Sequence, residues 1–328
     1  MKNKQVQSSI FTVAPGVFGR KDVFVNFYMI QFLTTEQWVL VDTGLKWSAP
    51  KIKEMAAYLF GEISPKAIVL THGHFDHVGS VAKLAEEWDV PVYAHHLEIP
   101  YLTGHSYYPP PDPTVGGGLM ATMAFLYPNS PINIWKHLKV LPSDGKIPVL
   151  PEWRYLHTPG HSPGHISLYR DSDGVLLAGD AFVTTNQESA ISVMLQTKVI
   201  SGPPKYFTYD WDEAKRSVDE LVDLHPKTAA AGHGMPMRGK ELKTALRELQ
   251  ENFSEKSIPS HGRYVPTPAI TNANGVMYVP PKKYDKNELA IKAFVVTTMV
   301  VLSFMWKTYK KNKRIRINEG LLEVEYNY

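Results

Sequence analysis

Cysteine is absent from all 328 residues. That excludes disulfides, thiol nucleophiles and thiolate metal sites, so any metal in this chain must be held by imidazole and carboxylate. A dominant charge is also lacking: 35 Lys and Arg against 32 Asp and Glu leave a formal charge of +3. That is too small to argue for a nucleic-acid partner, and much of the basic excess is local, in residues 307–316. The first nine residues hold no apolar run of the secretory kind, so a cytoplasmic catalytic domain is the default expectation. With 44% hydrophobic and 20% charged residues the chain reads as an ordinary folded protein, long enough for one large domain or two smaller ones.

What is present begins with alternating β-branched and aromatic residues. Segments 10–13, 23–32 and 38–41 read as antiparallel strands, with turns at Pro15-Gly16 and at 34–37. Ser48 and Pro50 open a helix that presents Ile52, Met55, Ala56 and Leu59 and stops at Gly61. A strand ending at Thr71, a helix with Val81, Leu84, Ala85 and Trp88 on one face, and a strand over 90–94 follow. Residues 98–151 change character: prolines 109–111 and 113 and glycines 116–118 break regular structure, leaving room for one short apolar helix at 119–126. This stretch reads as an insertion, either a substrate lid or an ordinary surface excursion.

The second half repeats the outline without any sequence repeat. Strands at 153–156, 165–169 and 175–178 lead to a helix from Asp210 with Trp211, Ala214, Val218, Leu221 and Val222 inward. A strand at 228–231 and a helix showing Leu242, Leu246, Leu249 and Phe253 complete it. Strands followed by helices, twice over, argue for two sheets packed face to face with helices outside.

The densest chemistry lies in His72-Gly-His74-Phe-Asp76-His77, four ligating side chains in six residues. Imidazole and carboxylate at this density suit zinc, and the spacing suits two ions, because His72 and His74 project to one side of an extended turn and leave Asp76 and His77 for a neighbour. A polar loop capping a helix is the bland alternative. Three further candidates, His161, Asp180 and His233, each follow an apolar strand, where a sheet edge converges side chains on one point. Any one alone would more often be structural; together they make seven candidate ligands.

This set and order resemble the metallo-β-lactamase superfamily, whose signature Thr71-His-Gly-His-Phe-Asp-His77 matches at every position. The resemblance covers about residues 8–254 and implies a four-layer αββα sandwich. It implies two zinc ions per chain, the first on His72, His74 and His161, the second on Asp76, His77 and His233, with Asp180 bridging both. Asp42, in Val39-Leu-Val-Asp42-Thr-Gly44, matches the family's supporting aspartate, although an Asx turn would explain an acid there equally well. His165 is expected in a similar supporting part.

A hydroxide bridging two metals would serve as nucleophile, with Asp76 and Asp180 orienting it and moving its proton. Penicillin-cleaving members with a cysteine ligand are excluded. A bridging aspartate resembles the glyoxalase II, lactonase and nuclease branches instead. Among these a small ester, lactone or thioester is favoured, because residues 1–254 show no basic, aromatic-interleaved surface for a phosphate backbone. Tyr101, Tyr107, Tyr108, Leu119, Met120, Met123, Phe125 and Tyr127 of the insertion suit an organic acyl group. A phosphodiesterase or nuclease is the runner-up. A non-catalytic or redox binding module is a third reading, disfavoured because redox di-iron relatives carry Glu where this chain has His74.

Beyond residue 254 the resemblance weakens. Residues 255–287 read as a proline-rich strap, and 288–328 as a hydrophobic helix with a basic tail. The apolar run 293–306, ending in Trp306 before the basic cluster, suits a membrane anchor, a surface-lying helix or a packed helix; membrane contact would run through 289–316. The oligomeric state is not legible.

Overall fold

The computed structural model describes residues 2–282 except 117 and 196, together with six positions between 293 and 308. One sheet runs in chain order through β1 (Ile10–Ala14), β2 (Val17–Asp22), β3 (Val25–Gln31), β4 (Trp38–Val41), β5 (Ile68–Val69), β6 (Val92–Ala94) and β7 (Leu138–Val140). Its first four strands are antiparallel hairpins, and β4 to β7 are parallel. The second sheet contains β8 (Arg154–His157), β9 (Ile166–Arg170), β10 (Val175–Leu177), β11 (Thr228–Ala230) and β12 (Met237–Arg238), in the order β12-β11-β10-β9-β8.

Helices α1 (Lys2–Ser9), α2 (Ala49–Phe60), α3 (Val81–Trp88), α4 (Ile99–Leu102) and α5 (Leu119–Thr122) belong to the first half of the chain. Helices α6 (Ala190–Leu195), α7 (Trp211–Asp223), α8 (Gly239–Glu251) and α9 (Phe253–Lys256) belong to the second.

The period-two alternation of β3 explains the layers. Phe27 and Met29 pack with Ile52, Met55 and Leu84 of the outer helices, whereas Tyr28 and Ile30 meet Ile166, Leu168, Val175 and Leu177 of the facing sheet. Leu176 and Ala229 turn outward instead, against Val218, Leu221, Leu242 and Leu246 of α7 and α8. Two sheets with helices on both outer faces are the αββα sandwich the element order predicted.

Differences are local and have physical reasons. The expected strand over 23–32 begins at Val25, because Asp22 pairs with Val25 across a tight turn in which Val23 adopts φ +59°. Ser48 stands before α2 as expected, but its hydroxyl makes no cap bond; it donates to Asp22 and accepts from the Leu45 N–H. Asp210 does cap α7, accepting the Glu213 N–H at 2.9 Å. Strands β7 and β12 and helix α6 are too short for periodicity to reveal.

Residues 257–282 cross the insertion. Tyr264 Oη donates to Pro110 O at 2.6 Å, the Arg263 N–H to Asp112 Oδ2 at 2.5 Å, and the Val276 N–H to Ser106 Oγ at 3.1 Å. A hairpin of β13 (Ile270–Asn272) and β14 (Gly275–Tyr278) interrupts what reads in the sequence as a plain strap.

Residues 1–282 form one compact unit and 283–328 another. The apolar run and basic cluster anticipated at 288–328 lie outside the described residues apart from positions 293, 297, 298, 301, 305 and 308, which are helical and exposed. No helix among the described residues is long and apolar enough to cross a membrane.

Candidate metal centre

Strand ends build the site. Beyond β5 the chain turns at once, with the His77 and Val78 N–H groups returning to His74 O at 2.9 and 3.1 Å, so His72, His74, Asp76 and His77 crowd one place. The β8–β9 loop brings His161, the residue three beyond β10 is Asp180, and the residue three beyond β11 is His233. All seven predicted ligands are 7% exposed or less. Ligand atoms gather in three overlapping groups: His72, His74 and His161; His72, His77 and Asp180; Asp76, His77 and His233, with the atoms of each group within 4.8 Å of one another.

Asp180 Oδ2 lies between the groups, 3.1 Å from His233 Nε2, 3.4 Å from His161 Nε2 and 3.6 Å from His77 Nε2. Gly232 is required beside it, because a Cβ there would come within 2.0 Å of Asp180 Oδ1. His72 Nε2, His77 Nε2 and Asp180 Oδ1 are buried with no hydrogen-bond partner. Buried polar atoms are almost always paired. Three orphans converging in one cluster of nitrogen and oxygen donors fit divalent metal ions.

Three of the five rings are aimed by their other nitrogen. His77 Nδ1 lies 2.8 Å from Asp42 Oδ2, His233 Nδ1 2.7 Å from Phe24 O, and His72 Nδ1 3.0 Å from Thr71 Oγ1. These contacts direct Nε2 inward, as acceptor partners do for ligating histidines. Asp42 also accepts from the Thr71 N–H at 2.8 Å and the Thr71 hydroxyl at 2.7 Å, from a left-handed backbone with φ +59°. Its bonds run to the neighbouring strand end rather than forming an Asx turn. His165 Nε2 accepts the Asp180 N–H at 2.8 Å, and its Nδ1 reaches Thr158 O at 3.0 Å, so this ring supports the bridging position from behind.

Burial, then the neighbouring histidines, holds His72 and His161 well below the ordinary imidazole range and brings His74 down to about 3. Their lone pairs are therefore free for a metal without loss of a proton. The other side is anion-rich. Burial opposes charge on His77, yet Asp180, Asp42 and Asp76 together raise it well above its usual value. Burial would likewise push Asp180 up, but His233 and His77 hold it well below the carboxylate range. Asp76 is raised, chiefly by burial.

An aromatic wall adjoins the cluster. Phe207 stacks on His74 at 4.6 Å, Phe24 on His233 at 6.2 Å, and Phe75 on Tyr127 of the insertion at 5.7 Å. The sequence pattern singles out neither Phe24, which reads as part of the strand over 23–32, nor Phe207, one of three aromatics within 206–209; both stand in turns. Glu98 was equally silent, and it is fully buried against the backbone between His72 and His74.

The profile of the metallo-beta-lactamase superfamily matches residues 20–233. A Bacillus subtilis (strain 168) protein named "Probable metallo-hydrolase YflN" is 45% identical over 246 residues, 74% of this chain and 93% of its own length. Hydroxyacylglutathione hydrolase GloC of Haemophilus influenzae is 30% identical over 119 residues, 36% of this chain and half of its own length. Among solved structures, a metallo-beta-lactamase family protein of Thermus thermophilus superposes with a TM-score of 0.51 at 24% identity, covering 74% of this chain and 81% of its own. With a buried His/Asp cluster fit for divalent ions at the strand ends of an αββα sandwich, the chain belongs to the metallo-β-lactamase superfamily and is a metallo-hydrolase.

Proposed function

We propose that this chain is a dinuclear zinc hydrolase that cleaves a small ester, lactone or thioester. The observation that carries the two-ion reading is the position of Asp180 Oδ2, within 3.6 Å of imidazole nitrogens drawn from both groups of ligands. His72, His74 and His161 would hold one ion, Asp76, His77 and His233 the other, and Asp180 both. Ions so held lower the pKa of water toward neutrality and polarise the oxygen of a scissile carbonyl.

The remaining work falls to side chains. Asp76, buried among the candidate ligands, is placed to take the proton of an attacking water and pass it to the leaving group. Asp42 and His165 keep His77 and Asp180 in register. Phe24, Phe75, Tyr127 and Phe207 exclude water and give an acyl group an apolar surface; none of the four brings a cation for an anionic substrate. Tyr127 comes from the 98–151 insertion, which supports reading that stretch as a lid. The similarity to a protein named hydroxyacylglutathione hydrolase points to the same class of acyl substrate. The partner is accordingly a small molecule rather than a nucleic acid, with residues 289–316 as the region of any membrane contact.

The test combines elemental analysis of purified protein with a panel of acyl-homoserine lactones, acyl thioesters, p-nitrophenyl esters, bis-p-nitrophenyl phosphate and short RNA. Two zinc equivalents with ester, lactone or thioester turnover are expected. Phosphodiester cleavage without ester turnover would reject the acyl assignment, and a single ion per chain would reject the dinuclear one.

A further inference from the structure

We propose that Glu98 is a positioning residue for the metal site of His72, His74 and His161, its carboxylate holding loops from the two sheets and a tyrosine of the insertion in one register. The inference rests on the metal reading above and concerns a residue outside every ligand group.

Glu98 follows β6 and is 1% exposed. A carboxylate so buried is strongly unfavourable unless donors surround it. Here four do. Oε2 accepts the Gly73 N–H at 2.9 Å and the Tyr108 hydroxyl; Oε1 accepts the Gly164 N–H at 2.7 Å and the Ser162 hydroxyl at 2.9 Å. Gly73 lies between His72 and His74 on the first sheet's loop. Ser162 and Gly164 follow His161 on the second sheet's loop. One carboxylate therefore ties together the backbone segments that carry all three ligands.

Such a tie is needed for a physical reason. His74 Nδ1 and His161 Nε2 stand 3.0 Å apart. One contact between ring nitrogens is a weak restraint on loops from separate sheets. The spacing must come from the backbone: the Ile166 N–H donates to Thr71 O at 2.9 Å at the base of the two loops, and Glu98 bonds to both loops beside the ligands themselves. Gly73 confirms how closely the parts approach: a Cβ there would lie 2.3 Å from Tyr108 Oη and 3.2 Å from Glu98 Oε2. The Tyr108 ring in turn packs on His74 at 4.6 Å and stacks on Tyr101 at 3.9 Å. The insertion thus reaches the ligand sphere through this phenol, and movement of the insertion would be felt at His74.

The experiment titrates Co2+ into the full-length apoprotein and into Glu98→Gln, Glu98→Asp and Tyr108→Phe, following the visible cobalt spectrum, chelator-competition affinity and thermal unfolding. Gln keeps the size of Glu but turns an amide donor toward donors. The expected result for Glu98→Gln is one equivalent bound as in the unsubstituted protein and one weakened by about 10–100-fold, the range for lost supporting partners of metal ligands, with an altered spectrum. Tyr108→Phe should shift the same equivalent in the same direction by less, and Glu98→Asp should recover part of the loss. Two equivalents bound with unchanged affinity and spectrum by Glu98→Gln, with only the unfolding temperature lowered, would overturn the proposal. If Glu98→Gln does not fold, an unchanged cobalt titration of Tyr108→Phe overturns it instead. Failure of the metal reading itself is separately visible, as an absence of stoichiometric cobalt in the unsubstituted protein.

Discussion

Asp180 shows how one side chain is shared by two sheets. It leaves the second sheet just beyond β10, is braced through its backbone by His165, and points Oδ2 at imidazoles from both halves of the chain. Asp180→Asn keeps the shape and removes the charge that stabilises a cation there. The expected outcome is loss of at least one metal equivalent and a fall in kcat/KM of about 100-fold or more, judged from the effect of disturbing metal ligands and their supports. Elemental analysis alongside kinetics checks it; near-normal turnover at full occupancy would contradict the shared-ligand role.

A second residue-scale consequence lies outside the metal cluster. His95 stacks on His157 at 4.1 Å, and burial first, then His157 and His96, bring it down to about 3. The folded protein keeps this ring neutral where an unfolded chain, with histidine near its ordinary value of about 6.5, takes up a proton. The unfolded state then binds more protons, so stability falls as pH drops from about 6.5 toward 3. His95→Gln should flatten the dependence of the urea midpoint on pH between about pH 7 and 5.5, by up to roughly 1.4 kcal/mol per pH unit. An unchanged slope would show that the ring is charged in the folded state.

At the scale of elements, each ligand stands just past a strand, and helices set how firmly those strands are held. Helix α7 packs Trp211, Ala214, Val218 and Leu221 on the second sheet, and Asp210 caps it. Asp210→Ala should lower unfolding stability by about 1 kcal/mol, the usual loss for a removed N-cap, with metal content unchanged. Equilibrium denaturation monitored by circular dichroism measures this. α7 and its inward face were legible because three and a half turns repeat the apolar stripe often enough to be read. Ser48 looked like an equally good cap and is not one, because its hydroxyl oxygen accepts the Leu45 N–H instead, held by its own donation to Asp22 of β2. β7, with three residues, exists through pairing with β6, where Val92 meets Leu138, and β12, with two, through pairing with β11, where Thr228 meets Arg238. No local pattern can announce them.

At the scale of the whole molecule, a metal bound only by the folded state adds stability by mass action. At a free-metal concentration 100 times the dissociation constant the gain is about 2.7 kcal/mol. Chelation should therefore lower the unfolding temperature, and restoring the metal should raise it in proportion to the logarithm of its concentration. Truncation after Lys282 should leave the first compact unit folded and able to bind metal, since that unit ends there; calorimetry and metal analysis of the truncated chain test this. Cell fractionation of the same chain beside the full-length protein decides whether 289–316 contacts a membrane.

The sequence by itself determined which side chains could ligate a metal. Without cysteine only imidazole and carboxylate remain, and the Thr71–His77 signature with His161, Asp180 and His233 after strands pointed, through its family resemblance, to seven candidate ligands and the αββα fold. Strand alternation likewise sorts the side chains of β3 between the helix layer and the facing sheet, both of which bury them. Only the tertiary structure decided what surrounds those ligands: Phe207 against His74, Phe24 O under His233, and Glu98 between the loops of both sheets. Ligand motifs are short and local, so spacing reveals them. Supporting contacts join residues up to 209 positions apart, as Phe24 and His233 are, and such distances are closed only when two sheets pack and bury the groups between them.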